Sequence, residues 1–291
     1  MRVLDFFFAL RPLVMIPAWS FFVLGWAAAG GAATAFPALR FGLLSLVLCG
    51  AYLVNQIVDR ESDRINAKGF FLQRGIFAPR TYAWAAAACL VVGCGAAWVF
   101  DAAPQRTALA ALLGLAYSTP PVRLAARPGF DLAANALGYG VLAPAIGAGD
   151  VRLPVLLLAA GALAVAAVFL HTTILDLDGD RRTGKRTSGT ALGVRAGRGV
   201  AAVCALAGAA AAWGAAPAPQ RVATLVLAAL TLAAALAPRR VASRAVCVAG
   251  TGVFALAAAV ACPPFGIAVM GLVIATRIYY RRRFALAYPA V

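Results

Sequence analysis

Ten apolar runs follow one another between residues 12 and 280: 12–35, 39–58, 80–100, 105–118, 130–149, 152–175, 199–215, 221–237, 243–261 and 264–280. Most approach the roughly 20 residues that a helix needs to cross a bilayer. Backbone N–H and C=O groups in lipid must be satisfied within the chain, so a succession of such runs is compatible with a bundle of spanning helices and little else. With 63% hydrophobic and only 12% charged residues, and a mean hydropathy of +0.88, the chain lacks the polar surface of a soluble globule. The expectation is an all-α, polytopic transmembrane bundle of nine helices, or ten if the run 264–280 crosses rather than re-enters, around a central cavity. Residues 1–291 form one domain, and residues 1–11 form an interfacial helix with Phe6, Phe7 and Phe8 at headgroup level and Arg2 and Arg11 facing water.

The formal charge of +16 would suggest nucleic acid in a soluble protein. Here its distribution gives a topology instead. If the N-terminus is cytoplasmic and the runs alternate sides, 22 of the 26 Lys and Arg residues lie at cytoplasmic ends, including Arg239 and Arg240, and only Arg40, Arg106, Arg152 and Arg221 lie outside. This satisfies the positive-inside rule without any nucleic acid.

The stretch NQIVDRESD closes the second run, and its spacing Asn55, Asp59, Asp63 places an amide and two carboxylates on one helical stripe. Alone, it reads equally as a site for a hard cation or as solvated loop carboxylates paired with Arg60 and Arg64. A second copy tips the balance. Displaced by 117 residues, DRESDRINAK meets DLDGDRRTGK and matches it in charge at five of ten positions, so that Asp59, Glu61, Asp63, Arg64 and Lys68 fall on Asp176, Asp178, Asp180, Arg181 and Lys185. Six of only ten acidic residues lie in these two segments. The pattern predicts a two-half internal repeat whose halves present facing acidic helix ends on the same side of the membrane.

Facing oxygen clusters, each followed by Arg and Lys, are what a metal-bridged diphosphate requires: carboxylates for Mg²⁺, guanidinium and ammonium groups for the remaining phosphate oxygens. If an isoprenoid is attached to that diphosphate, the adjoining apolar bundle is where it would lie. NQIVDRESD resembles the first aspartate-rich motif of the UbiA superfamily of intramembrane prenyltransferases. TTILDLDGDRRTGKRT resembles the second, and YSTPPVRL looks like that family's Tyr-containing cytoplasmic loop. The resemblance implies Mg²⁺ ligation by Asn55, Asp59, Asp63, Asp176 and Asp180, and phosphate contacts from Arg64, Lys68, Arg123, Arg181 and Lys185. It places Tyr117 near the reacting carbon, with loops 59–79, 118–129 and 176–198 capping a cytoplasmic active site.

The implied reaction is transfer of a polyprenyl group from an isoprenyl diphosphate to a quinone-precursor aromatic, with a prenylated glycerol phosphate lipid or a tetrapyrrole as the alternative acceptor. The chain departs from the family at Gln56, where Asp or Asn is usual, at GFFLQRG in place of an Asp-Arg-Pro loop, and at Ala125 in place of a lysine, for which Arg123 or Arg127 could stand in. A divalent-cation transporter would need ionisable residues in mid-span, and runs two to six hold none. His171 reads as a packed or hydrogen-bonded histidine, and Glu61 and Asp178 as partners of loop arginines. Asn135 and Tyr139 either line the acceptor pocket or join helices.

Overall fold

The computed structural model describes residues 2–31, 37–66, 68–101, 103–237, 241–286 and 288; the side chain of Arg2, and Arg239 and Arg240, lie outside the described residues. The described residues contain helices, turns and loops and no strand. In chain order the helices are α1 (Arg2–Ala9), α2 (Pro12–Ala28), α3 (Ala38–Val58), α4 (Arg60–Ile65), α5 (Phe70–Gln73), α6 (Pro79–Phe100), α7 (Pro104–Ser118), α8 (Phe130–Leu137), α9 (Ala143–Ala148), α10 (Val155–Leu175), α11 (Leu177–Arg182), α12 (Ser188–Ala215), α13 (Ala218–Leu236), α14 (Val241–Ala261) and α15 (Pro263–Phe284). Pro12, Pro79, Pro104 and Pro263 each open a helix, where the missing N–H has no bond to lose.

Seven helices (α3, α6, α10, α12, α13, α14 and α15) are long and apolar enough to cross a membrane, and α1 with α2, bent by 57°, makes an eighth if the pair is one span. The run at 105–118 forms a 15-residue helix. The run at 130–149 is interrupted by a π-helical turn, Gly138–Leu142, between α8 and α9. The last run is one unbroken 22-residue helix.

Helix association in lipid draws on close packing rather than on apolar burial, so small residues decide where helices touch. Gly25 of α2 faces α9 so closely that a Cβ there would stand 2.2 Å from the Pro144 carbonyl oxygen. The main core gathers Phe21, Phe22 and Trp26 of α2 with Val165 of α10, Leu227 of α13 and Phe254 of α14. Outward-facing Trp84 and Trp98 of α6 stay exposed, as lipid-facing residues should.

A second cluster sits where the loops after α3 meet α1 and α15. Phe8, Phe71, Tyr82 and Tyr280 are among its buried members, and Phe8 stacks on Tyr279 with centroids 4.0 Å apart. The Tyr279 hydroxyl donates to buried Asp5, and Arg283 Nε reaches the same carboxylate at 3.3 Å. Two expectations for the N-terminal segment are corrected here. Phe8 is a core residue and not a headgroup anchor, because α15 supplies it with aromatic partners. Arg11 lines the central cavity instead of facing water, because the bend between α1 and α2 turns it inward.

Candidate active site

The two acidic segments fold alike. Each long helix ends one residue before an aspartate, Asp59 after α3 and Asp176 after α10, and a six-residue helix follows. The i→i−4 bonds nevertheless run through each junction: Asp59 N donates to the Asn55 carbonyl at 2.8 Å and Asp63 N to that of Asp59 at 2.8 Å, while Asp176 N donates to Thr172 at 3.2 Å and Asp180 N to Asp176 at 3.0 Å. The helical stripe predicted from spacing therefore survives the breaks. The bounds of α3 and α10, and of α4 and α11, all differ by 117 residues.

The junctions meet across the mouth of the bundle through exchanged lysines. Lys68, from the first segment, donates to both oxygens of Asp176 at 2.5 and 2.6 Å. Lys185, from the second, donates to Asp59 Oδ2 at 2.6 Å. The same 117-residue displacement relates Lys68 to Lys185 and Asp59 to Asp176, so the contacts are reciprocal. Asn66 spans the same seam, donating to the Asp176 carbonyl at 3.4 Å and accepting from Gly179 N at 3.1 Å. Asn55 Nδ2 and Arg123 Nη2 each donate to Asp59 at 3.1 Å.

The outer pair of acids is less well neutralised. Burial pushes the Asp180 carboxyl up to about 6, with Lys185 opposing and Asp176 reinforcing the rise. Burial likewise raises Asp63, against the pull of Arg11 and Lys68. Asp63 Oδ2 is buried with no hydrogen-bond partner, and such an orphaned oxygen awaits a cation or a proton. A carboxylate must be deprotonated to take a metal, so the affinity of the substrate-free protein for Mg²⁺ is expected to fall below pH 6, by about tenfold per pH unit for one displaced proton. Calorimetric Mg²⁺ titrations from pH 5 to pH 7 check this, and a constant affinity over that range would refute it.

Not every residue expected at the site reaches it. Arg64 is 64% exposed and pairs with Glu61 at 2.6 Å, and Arg181 is exposed on α11. Both stand on the outer faces of their short helices, away from the cavity lining. Arg74 stacks over Phe70 at 4.4 Å. Ala125, in the short helical turn directly after Arg123, is buried. His171 is fully buried with neither ring nitrogen hydrogen-bonded, so of the two expected forms it takes the packed one. Asn135 donates to the Asp131 carbonyl at 2.9 Å, and Tyr117, Asn135 and Tyr139 all line the cavity.

Three further features were missed from the sequence. Arg11 holds a left-handed backbone at φ 59° and ψ 51°, a costly conformation for a residue with a Cβ, and Arg123 shares a positive φ, 36°. Asp131 is fully buried and accepts from Ser188 N at 2.7 Å, Leu132 N at 2.8 Å and the Ser188 hydroxyl, tying the Arg123 loop to the Lys185 loop. Tyr52 Oη lies 2.5 Å from Tyr139 Oη. An arginine directly before a helix-opening proline was the one sequence signal available for the first; the other two depend on tertiary contacts.

The junctions open into a chamber of about 400 Å³. Its charged lining residues are Arg11, Asp59, Asp63, Lys68, Asp176, Asp180 and Lys185, all at the mouth, and its deeper wall is Phe21, Val165, Val168, Phe169 and Phe254. Among the described residues no three Asp, Glu, His or Cys side chains form a metal site by themselves. Mg²⁺ normally takes one or two carboxylates and completes its shell with water and substrate phosphate. An all-oxygen donor set with an unpartnered Asp63 oxygen fits that mode.

Comparisons agree with this architecture. The solved structure of a UbiA homolog from Archaeoglobus fulgidus bound to DMAPP and Mg²⁺ superposes with a TM-score of 0.66 at 19% identity, over 90% of this chain and 98% of that one. The same homolog bound to GPP and Mg²⁺ gives 0.64 at 21% identity, over 90% and 98%, and a digeranylgeranylglyceryl phosphate synthase gives 0.64 at 16%, over 89% and 99%. At such identities the likeness is one of fold. Lycopene elongase/hydratase of Halobacterium salinarum is 35% identical over 150 residues, which are 49% of this chain; the match spans about half, 52%, of that relative's length. Residues 14–245 match the profile of the UbiA prenyltransferase family, and on the strength of that match over most of its length the chain belongs to this family.

Proposed function

We propose that the protein takes an isoprenyl diphosphate at the cytoplasmic face of a membrane, ionises it with the help of Mg²⁺, and transfers the prenyl group to an uncharged acceptor. The reciprocal Lys68–Asp176 and Lys185–Asp59 pairs at the mouth of an apolar chamber carry this reading, because they are the charges that a metal-bound diphosphate would re-pair. Asn55, Asp59, Asp63, Asp176 and Asp180 hold the Mg²⁺, which supplies neutralising charge to the phosphate oxygens when bound. Lys68, Lys185 and Arg123 turn from carboxylates to phosphate, and Arg11, pre-set by its strained backbone, joins them. Loops 59–79, 118–129 and 176–198 cap the site, and the 117-residue displacement supports two repeated halves within a single domain. The excess of Lys and Arg at the loop-bearing end supports a cytoplasmic mouth.

The chemistry then falls to the walls. The bond between the allylic carbon and the diphosphate oxygen breaks, and its electron pair leaves with the diphosphate. The cation that remains is shielded from water and faces aromatic rings, Tyr117, Tyr52 and Tyr139 among them, whose π faces stabilise positive charge. A π bond of the acceptor closes the new carbon–carbon bond. The proton it then sheds has the departing diphosphate, pinned beside it, as the nearest base.

For the acceptor, charge placement decides. Among the described residues every cation of the chamber stands at the mouth, leaving none deeper to hold a carboxylate or phosphate of the second substrate. An uncharged quinone-precursor ring meets this condition, and so does a neutral polyene such as the lycopene for which the haloarchaeal relative is named. The test is to supply labelled farnesyl or geranylgeranyl diphosphate with lycopene, a neutral phenol or a carboxylated phenol, in Mg²⁺ or EDTA. Metal-dependent transfer to a neutral acceptor is expected. Metal-independent transfer would overturn the mechanism, and transfer to the carboxylated phenol alone would overturn the acceptor assignment.

A further inference from the structure

A second cavity, of about 110 Å³, lies beside the chamber between α2, α3, α7 and the broken helix α8–α9. Its walls are mostly apolar, with Leu48 and Ala51 of α3 and Ala110 and Leu113 of α7 among them, and no charged residue among the described ones lines it. Tyr52, Asn55, Tyr117, Asn135 and Tyr139 line both cavities. These five side chains form the junction between the two spaces. Asn55 is one helical turn before Asp59, about 5.4 Å along the axis, so the junction lies next to the diphosphate mouth.

The junction is built and not incidental. The Tyr52 hydroxyl donates to the Val14 carbonyl at 3.1 Å. That uses its only proton, so Tyr139 is the donor in the 2.5 Å contact between the two hydroxyls. Tyr139 occupies the π-helical turn Gly138–Leu142, the kind of local rewinding that re-aims a side chain at functional sites. That turn is clamped against α10 at Gly140, where a Cβ would meet Ala162 N at 2.4 Å.

We propose that this side pocket is the acceptor's subsite: it takes the uncharged, apolar reacting end of the acceptor, and the Tyr52–Tyr139 pair is the partition across which that end meets the allylic carbon. The proposal rests on the prenyl-transfer reading. The donor's head is pinned at the mouth, and the larger chamber with Phe21 and Phe254 has room for its chain. The second reactant must then approach the allylic carbon from another side, and the side pocket reaches the same ring of residues from between α3 and α7. Its charge-free lining admits a hydrocarbon or neutral ring and penalises any ionised group. A pocket this small holds only the reacting end, so the remainder of a long acceptor passes between the helices toward lipid.

Filling and enlarging the pocket test this. With lycopene as the acceptor probe, Ala110→Phe and Leu113→Trp are expected to raise the acceptor KM by about tenfold or more, and Leu113→Ala to admit an acceptor with a bulkier end. The donor KM, and the preference between farnesyl and geranylgeranyl diphosphate, should stay within about twofold. If filling changes donor chain-length preference instead, the pocket belongs to the donor's tail and the proposal is wrong; it is equally wrong if neither KM moves. Should the filling variants fail to fold, Leu113→Ala decides by the same split between acceptor and donor. A wild-type protein that releases no diphosphate in Mg²⁺ would instead overturn the prenyl-transfer reading itself.

Discussion

Asp59→Ala is expected to lower kcat/KM for prenyl transfer by about 10³-fold or more, which corresponds to about 4 kcal/mol of lost transition-state stabilisation. Among the described residues no other side chain gathers so many of the mouth's groups. Asp59 is 7% exposed and accepts from Asn55, Arg123 and Lys185. Its removal would take away a proposed metal ligand and leave two cations crowded at the mouth without their carboxylate, a costly state for buried charge. Asp176→Ala should do the same through Lys68. Arg64→Ala and Arg181→Ala, in contrast, should change kcat/KM by no more than about twofold, because exposed ion pairs and exposed cations contribute little. Steady-state kinetics on the four variants separate these outcomes. Near-wild-type turnover in Asp59→Ala would remove the basis for placing the metal at the junctions, and a large loss in Arg64→Ala would mean that its helix turns inward when substrate binds.

Lys185→Met is expected to move two quantities in opposite directions. In the substrate-free protein Lys185 occupies Asp59, so its removal frees an oxygen and should tighten Mg²⁺ binding. In the proposed substrate complex the same lysine holds phosphate, and a charge-assisted hydrogen bond of about 1.5–3 kcal/mol corresponds to a roughly 10- to 150-fold weaker diphosphate affinity when it is lost. Lys68→Met should follow the same pattern with a smaller amplitude. Its side chain is 36% exposed against 12% for Lys185, and water screens the more exposed ammonium. Metal titration without substrate, followed by inhibition by inorganic diphosphate, measures both. Parallel loss of both affinities would show that Lys185 supports the fold of the mouth and does not trade carboxylate for phosphate.

Much of the candidate site could be read from local pattern. The stripe through Asn55, Asp59 and Asp63 rests on helical periodicity, and it persists because the i→i−4 bonds run through the break after Val58. The correspondence of Lys68 with Lys185 was visible as charge at a fixed displacement. Arg64 and Arg181 match the same pattern equally well yet face outward, since a six-residue helix has two sides and charge alone does not say which is turned to the cavity. Arg11 was assigned to water because Pro12 marks the start of a helix but not the direction of the 57° bend between α1 and α2.

By itself the sequence determined that the chain is a membrane-spanning helical bundle, that two related acidic segments lie on one side of it, and that each carries carboxylates and a lysine in the same order. These properties depend on residues within one or two helical turns of each other, and on transfer energies that add along the chain. Tertiary structure alone decided that each lysine serves the other segment's aspartate, across 108 and 126 residues, and that Asp131 ties the two cation-bearing loops together. It also decided that Tyr52 and Tyr139, 87 residues apart, stand between a chamber and its side pocket. Such pairings are set by which helix faces come close enough to exclude other partners, and in lipid that depends on where glycines and alanines let backbones meet.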